Sequence, residues 1–243
     1  MKTGILILLA ATAAFAQETP APTTPPKAKP KRTVLTYVLP PDAAMGVRTD
    51  GDGGSRAGGA KLPSLSVLTP DHVAFTTQAQ PSLFWFQDGP APQGVNARFE
   101  LTLVDPKNPK PVLKVGNALS SQQDVGPGIR RIQLARHNVK LDPGVAYKWS
   151  VALVPDSKNR SQDLVASGAI KMIPPSPELT AELAKADADK VSAFAAKGVW
   201  YDALTALSDQ IDAAPKDATL RAERADLLQQ VGLKAAAEFE RKK

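Results

Sequence analysis

Cysteine is absent from all 243 residues, which excludes a disulfide framework, a thiolate metal site and a thiol nucleophile. It also excludes a lipid-modified cysteine anchor. Histidine is nearly absent: His72 and His137 stand alone, outside any H-E-x-x-H or comparable ligand spacing, and read as ordinary surface or turn residues. The chain has no G-x-S-x-G nucleophile elbow and no G-x-x-x-x-G-K-S/T phosphate loop. These gaps point to a non-catalytic protein with no metal and no cofactor. No apolar run reaches the roughly 20 residues a membrane-spanning helix needs. Aromatic residues make up only 5% of the chain, so the position of each one carries information.

One short apolar stretch does occur, from Gly4 to Phe15, interrupted only by Thr12 and preceded by Lys2. Ala14-Phe15-Ala16 then gives the small-x-small cleavage pattern, with Gln17 as the new first residue. Residues 1–16 are therefore expected to be a signal peptide, placing the mature chain in the periplasm or outside the cell with no membrane span after cleavage. Without disulfides, such a protein must be held by its core, and the chain is long enough to build one.

The formal net charge is +6, and much of the excess sits at two places. Lys27, Lys29, Lys31 and Arg32 lie in the Pro/Lys-rich segment 17–33, which reads as a disordered linker; Arg241-Lys242-Lys243 closes the chain. Nucleic-acid binding would call for a basic face interleaved with aromatics, and none is evident, so nucleic acid is not an expected partner. The linker could instead attract an anionic envelope polymer.

Residues 34–64 hold a short strand-like run, Thr33 to Leu39, and then the Gly-rich stretch 42–60, which reads as a mobile loop. Asp50-Gly51-Asp52-Gly53 hints at a calcium loop, but Gly54, Ser55 and Lys61 occupy positions where such a loop needs other residues.

From Leu65 the pattern changes. Seven segments read as strands: Val73–Thr77, Ser82–Phe86, Ala97–Val104, Val112–Val115, Ile129–Ala135, Val145–Val154 and Leu164–Ile173. Their spacing predicts an antiparallel β-sandwich of immunoglobulin or fibronectin-III type over 65–174. Tyr147, Trp149, Val151 and Leu153 fall on one face of their strand, with Lys148 and Ser150 on the other. Leu141-Asp-Pro-Gly-Val-Ala-Tyr147 resembles the stretch that forms a tyrosine corner in fibronectin-III-like domains. Tyr147 is thereby expected in the core with its hydroxyl on the backbone just upstream. Ser82-Leu-Phe-Trp-Phe86 is apolar on both faces, so something should cover the second one, either C-terminal helices or a partner protein.

Helices are predicted over 176–243. Ser176-Pro177-Glu178 opens the first, expected to reach about Lys197 with Glu182, Asp187 and Asp189 on a solvated face. Gly198 lets the chain turn. Trp200, Ala203, Leu204, Leu207 and Ile211 then form one stripe, with Trp200 and Tyr201 anchoring that helix into the one before it. Asp217 can cap a third helix, and a last short one follows Gly232. The unit resembles about one tetratricopeptide-type hairpin, which cannot bury its own apolar face and must dock. The whole is expected to be α+β, a sandwich followed by a helical hairpin bundle, with Trp85, Tyr147, Trp149, Trp200 and Tyr201 as structural anchors.

Several landmarks occur in order: Tyr37-Val-Leu-Pro-Pro41, Pro81-Ser-Leu-Phe-Trp-Phe86, Tyr147-Lys-Trp149, Asp156 to Ser161, Gly198-Val-Trp-Tyr-Asp-Ala-Leu204, Asp226-Leu-Leu228 and Val231-Gly-Leu233. Together they resemble the bacterial domain-of-unknown-function family 928. The resemblance implies an exported protein and assigns no activity. Pro155 stands where many members carry a cysteine, so it implies no thiol chemistry here.

The functional expectation is an exported cell-envelope interaction module with an envelope protein as partner. The alternative is a polysaccharide- or peptidoglycan-binding module or weak hydrolase, using the basic linker and exposed aromatics such as Trp200 or Phe86.

Overall fold

Alternating residues become paired strands along the chain from Leu65 onward. A computed structural model describes residues 35–41, 43–51, 62–90, 98–108, 110–116, 126–185 and 189–243. The expected signal peptide (Ala14, Ala16, Gln17), the linker 17–33 and residues 52–60 of the Gly-rich loop lie outside them.

The strands are β1 (Leu65–Val67), β2 (Ala74–Thr76), β3 (Ser82–Gln87), β4 (Arg98–Val104), β5 (Leu113–Gly116), β6 (Gly128–Gln133), β7 (Ala146–Val154) and β8 (Leu164–Met172). The helices are α1 (Pro177–Leu183), α2 (Lys190–Ala196), α3 (Trp200–Ala213), α4 (Ala218–Gln230) and α5 (Lys234–Lys242). The fold is mixed α+β: a three-stranded sheet in the order β1-β3-β6, a five-stranded sheet in the order β2-β8-β7-β4-β5, and the helices at the C-terminal end.

The expectation of a wholly antiparallel arrangement needs one correction. β2 runs parallel to β8, with Ala74 opposite Ile170 and Thr76 opposite Met172. The turn after β1 carries the chain from the smaller sheet to the larger one, so β2 joins at the edge beside the last strand rather than closing a hairpin.

β7 shows why the pattern was readable. Tyr147, Trp149, Val151 and Leu153 are all buried and Lys148 is exposed. Leu103 and Leu101 of β4 lie opposite Trp149 and Val151, so the same faces turn inward on both strands. Tyr147 is 2% exposed, and its hydroxyl accepts the Asp142 backbone N–H at 3.1 Å. Gly168 of β8 sits opposite Trp149. A Cβ there would lie 2.3 Å from Thr69 Cγ2, so glycine is what allows the segment after β1 to approach the larger sheet.

β3 is buried along its whole length. Its second apolar face is covered by the C-terminal helices: the Phe239 ring of α5 lies 5.4 Å from that of Phe86. Arg131 of the neighbouring β6 lies over Phe84, with its guanidinium carbon 5.4 Å from the ring centroid. The helices are in turn locked to one another. Arg224 of α4 donates twice to Glu240 of α5, at 2.9 and 2.7 Å, and once to Ser208 of α3, at 3.2 Å, all within the helical layer. Such a buried pair contributes little net stability, but loss of either partner would strand a charge.

Two further expectations are corrected. The first predicted helix is two short ones, because Asp189 does not lie on a helix face: its carboxylate accepts the Ser192 N–H and starts α2 afresh. Glu182 remains at the surface, paired with Lys185, and Asp187 lies outside the described residues. The strand-like run at Thr33 to Leu39 joins no sheet in its described part, Leu35 onward. Instead it straps the helices: the Val38 N–H donates to Ala195 O at 3.0 Å, and Gln230 of α4 bonds both Tyr37 N and Leu35 O.

Candidate functional site

α3 builds two different environments from adjacent turns. Its first turn carries Trp200, Tyr201 and Asp202, and all three are buried.

The aromatic environment comes first. Trp200 Nε1 donates to Leu68 O at 2.8 Å, in the turn after β1. Tyr201 accepts from Trp149 Nε1 at 2.8 Å and donates to Ala169 O at 3.2 Å, so its phenol is tied to both β7 and β8. Burial pushes the Tyr201 phenol well above its ordinary value. These anchors therefore reach into the sheets, which corrects the expectation that they seat α3 on the preceding helix. An indole N–H or phenol buried this deeply needs a partner, and the strands and the turn after β1 supply them.

Tyr37 of the strap completes this cluster. Its ring meets Trp200 edge-on at 5.1 Å and stacks with the His72 ring at 6.0 Å. His72 is 2% exposed, not a surface residue as expected. Its Nδ1–H donates to Val73 O at 3.0 Å, which leaves Nε2 to accept from the Tyr37 hydroxyl at 3.0 Å. Burial lowers the His72 pKa and raises that of Tyr37, so both are held neutral. Gly198 makes the strap possible. Its φ is +71°, and a Cβ there would stand 2.6 Å from Pro40 Cγ and 2.9 Å from Val38 O. His137 lies apart, exposed in the short 3-10 turn after β6.

The polar environment lies on the next turns of α3. A cleft of about 350 Å³ opens between α3, the end of α2 and the β3–β6 edge. Its wall carries Gln78, Gln80, Gln133, Ser82, Thr205 and Arg131. Phe194, Pro81, Ala135 and Ala206 supply its apolar surface. Arg131 Nε donates to Ser82 Oγ at 2.9 Å, and Nη1 pairs with Asp209 at 2.5 Å, with Asp212 at 3.8 Å. The guanidinium charge is thus met by acids on α3.

Asp202 stands at the edge of this cleft, and its carboxylate accepts the Thr77 N–H at 2.7 Å, tying α3 to the end of β2. Burial raises its pKa from 3.8 to about 6, opposed by the bond from Thr77. Gln80 Nε2 donates to Val139 O and Gln78 Nε2 to Thr77 Oγ1, which leaves each carboxamide oxygen free to accept. Gln133 and Thr205 make no side-chain hydrogen bond among the described residues.

Each anchor named from sequence is buried: Trp85, Trp149, Trp200 and Tyr201 at 0% exposure and Tyr147 at 2%. The same burial overturns Trp200 and Phe86 as exposed sugar-stacking candidates, since Phe86 is only 3% exposed. The Gly-rich stretch is not loop throughout. Thr49 pairs with Ser167 of β8 and Gly51 with Leu65 of β1, so this segment bridges both sheets. Sequence reasoning missed Tyr37, Arg131, Asp202 and the glutamines. Tyr37 and Asp202 do stand within the landmark segments, and Asp202 left a further signal, an acid directly beside two aromatics in an otherwise apolar helix start.

The arrangement defines a mixed α+β protein whose helices are keyed into its sheets and whose polar cleft lies at their junction. A family model, Domain of Unknown Function (DUF928), matches residues 51–240, and the chain belongs to that family. No curated protein matches it. Among the described residues no helix is long and apolar enough to cross a membrane.

Proposed function

We propose that this protein is a non-catalytic, exported interaction module of the cell envelope, periplasmic or secreted, with an envelope protein as partner. The observation that carries this reading is the inward use of Trp85, Trp149, Trp200 and Tyr201, which makes sheets and helices one body and leaves a polar cleft at the surface. The signal-peptide pattern of residues 1–16 supports export, and the basic linker 17–33 supports attraction to an anionic envelope polymer.

In this reading the β layer is a fibronectin-III-like sandwich. The strand order supports it: one sheet runs β1-β3-β6 and the other, apart from the added parallel strand β2, runs β5-β4-β7-β8, and Tyr147 bonds the backbone just ahead of β7 as a tyrosine corner does. The helices are a lone tetratricopeptide-like hairpin set that buries its surplus apolar face on β3.

The test is in-cell crosslinking of the exported protein followed by sequencing of its N-terminus. A mature end at Gln17 and one enriched envelope partner are expected. A chain retaining residues 1–16 in the cytoplasm, or crosslinks no different from background, would sink the proposal.

A second reading, a polysaccharide- or peptidoglycan-binding module or weak hydrolase, draws on the cleft. Hydrolysis would need two carboxylates flanking one bond, and Asp202 and Asp209 are the pair to substitute. Co-sedimentation with purified cell wall, with and without residues 17–33, tests it. Absence of retention at low salt with both forms removes it.

A further inference from the structure

We infer that the cleft between α3 and the β3–β6 edge is a binding subsite for an uncharged saccharide ring. The inference deepens the second reading above, at the same cleft, and is independent of a protein partner.

Three features of the cleft select this chemistry. The first is charge. Arg131 is the cation of the wall, and it is already engaged by Asp209 at 2.5 Å and by Ser82 at 2.9 Å. An anionic ligand would have to break that pairing to reach the cation, whereas a neutral one leaves it intact.

The second is the mixture of hydrogen-bonding groups. The carboxamide oxygens of Gln78 and Gln80 remain free to accept, because their amide nitrogens are used within the protein. The carboxamide of Gln133 and the hydroxyl of Thr205 have no partner among the described residues and offer both donors and acceptors. A sugar hydroxyl is itself both donor and acceptor, so it can satisfy either kind. A row of like-signed groups would instead have pointed to an ion.

The third is shape. Phe194, Pro81 and Ala206 give the cleft an apolar patch, which suits the C–H face of a pyranose ring. The volume of about 350 Å³ is at the small end for ligand pockets, the scale of one or two rings rather than a folded partner.

The experiment is titration of the full chain with neutral tetrasaccharides (cellotetraose and chitotetraose), with tetragalacturonate as the charged control and tetraglutamine as the peptide control. Binding is followed by NMR of the glutamine side-chain amides and by calorimetry. Saturable binding of a neutral tetrasaccharide is expected, with shifts at Gln78, Gln80 and Gln133. Gln133→Ala and Thr205→Val should each weaken it by roughly five- to tenfold, the equivalent of one hydrogen bond, while leaving the melting transition in place.

No saturation by either neutral sugar, tighter binding of either control, or equal binding by both variants would overturn the assignment. If soluble sugars fail while cell-wall retention persists through residues 17–33, this inference falls and the second reading stands. If retention also fails, both fall.

Discussion

Trp200 and Thr205 are less than two turns apart on α3, yet the helix treats their polar atoms in opposite ways. At the aromatic end, the indole of Trp200, the phenol of Tyr201 and the hydroxyl of Tyr37 each have partners on another element. At the cleft end, Thr205 and the facing Gln133 have none among the described residues. Buried polar groups must be satisfied for a fold to persist, so the aromatic end is a joint. Polar groups gathered around an open hollow without partners are free to bind something else. The comparison is open to attack from both sides.

The largest effect is expected at the joint. Trp200→Ala removes a fully buried indole and leaves the Leu68 carbonyl without its donor. Truncating a buried tryptophan costs about 3–5 kcal/mol. Urea unfolding should therefore show a sharply lowered midpoint. A loss below about 1 kcal/mol would mean that the aromatic end is not what holds α3 to the sheets.

Gly198→Ala tests the strap at the same end. The substitution puts a side chain at a φ of +71° and against Pro40 and Val38. Backbone strain of this kind, with displacement of the strap, should cost roughly 1–3 kcal/mol. Fluorescence of Trp200, which packs edge-on against Tyr37, should report the displaced strap as well.

Asp202 lies where the two environments meet, and its effect depends on pH. The folded carboxyl titrates at about 6 against an ordinary 3.8, so the folded chain holds that proton more tightly than the unfolded one. The linked stability is fully present below about pH 4 and is lost as pH rises through about 6. Burial is the largest cause of the shift, opposed by hydrogen bonds from Thr76, Thr77 and Gln78. Asp202→Asn keeps an oxygen for the Thr77 N–H but cannot ionise. The variant should overtake the native chain between pH 4 and 7, by on the order of 2–3 kcal/mol. Parallel stability curves for the two chains across that range would show that Asp202 is solvated rather than buried.

How much of this was legible in the sequence follows from the same contrast. Strands such as β7 were readable because Tyr147, Trp149, Val151 and Leu153 repeat with a period of two and are buried by the sheet they sit in. The five anchors were readable because large aromatics in such patterns have little alternative to the core. The strap was not, because Tyr37 bonds across 193 residues to Gln230, and no local pattern encodes that. The parallel pairing of β2 with β8 and the burial of His72 share the same cause. The cleft was invisible for a related reason: Gln80, the β6 pair Arg131 and Gln133, and Thr205 come from three separate stretches, and each alone looks like a solvated surface residue.

The smallest expected effect is the one that defines the cleft. Thr205→Val replaces a hydroxyl by a methyl group of nearly the same size. Because that hydroxyl has no partner to lose among the described residues, stability should change by less than about 0.5 kcal/mol. Ser208, three residues on, provides the control. It is buried, and its hydroxyl accepts from Arg224 at 3.2 Å, so Ser208→Ala leaves a buried guanidinium short of a partner and should cost roughly 1–3 kcal/mol. Thermal unfolding of the two variants side by side decides the matter. If Thr205→Val costs as much as Ser208→Ala, the hydroxyl at 205 is holding the fold together, and the distinction between a satisfied joint and an open cleft on α3 disappears.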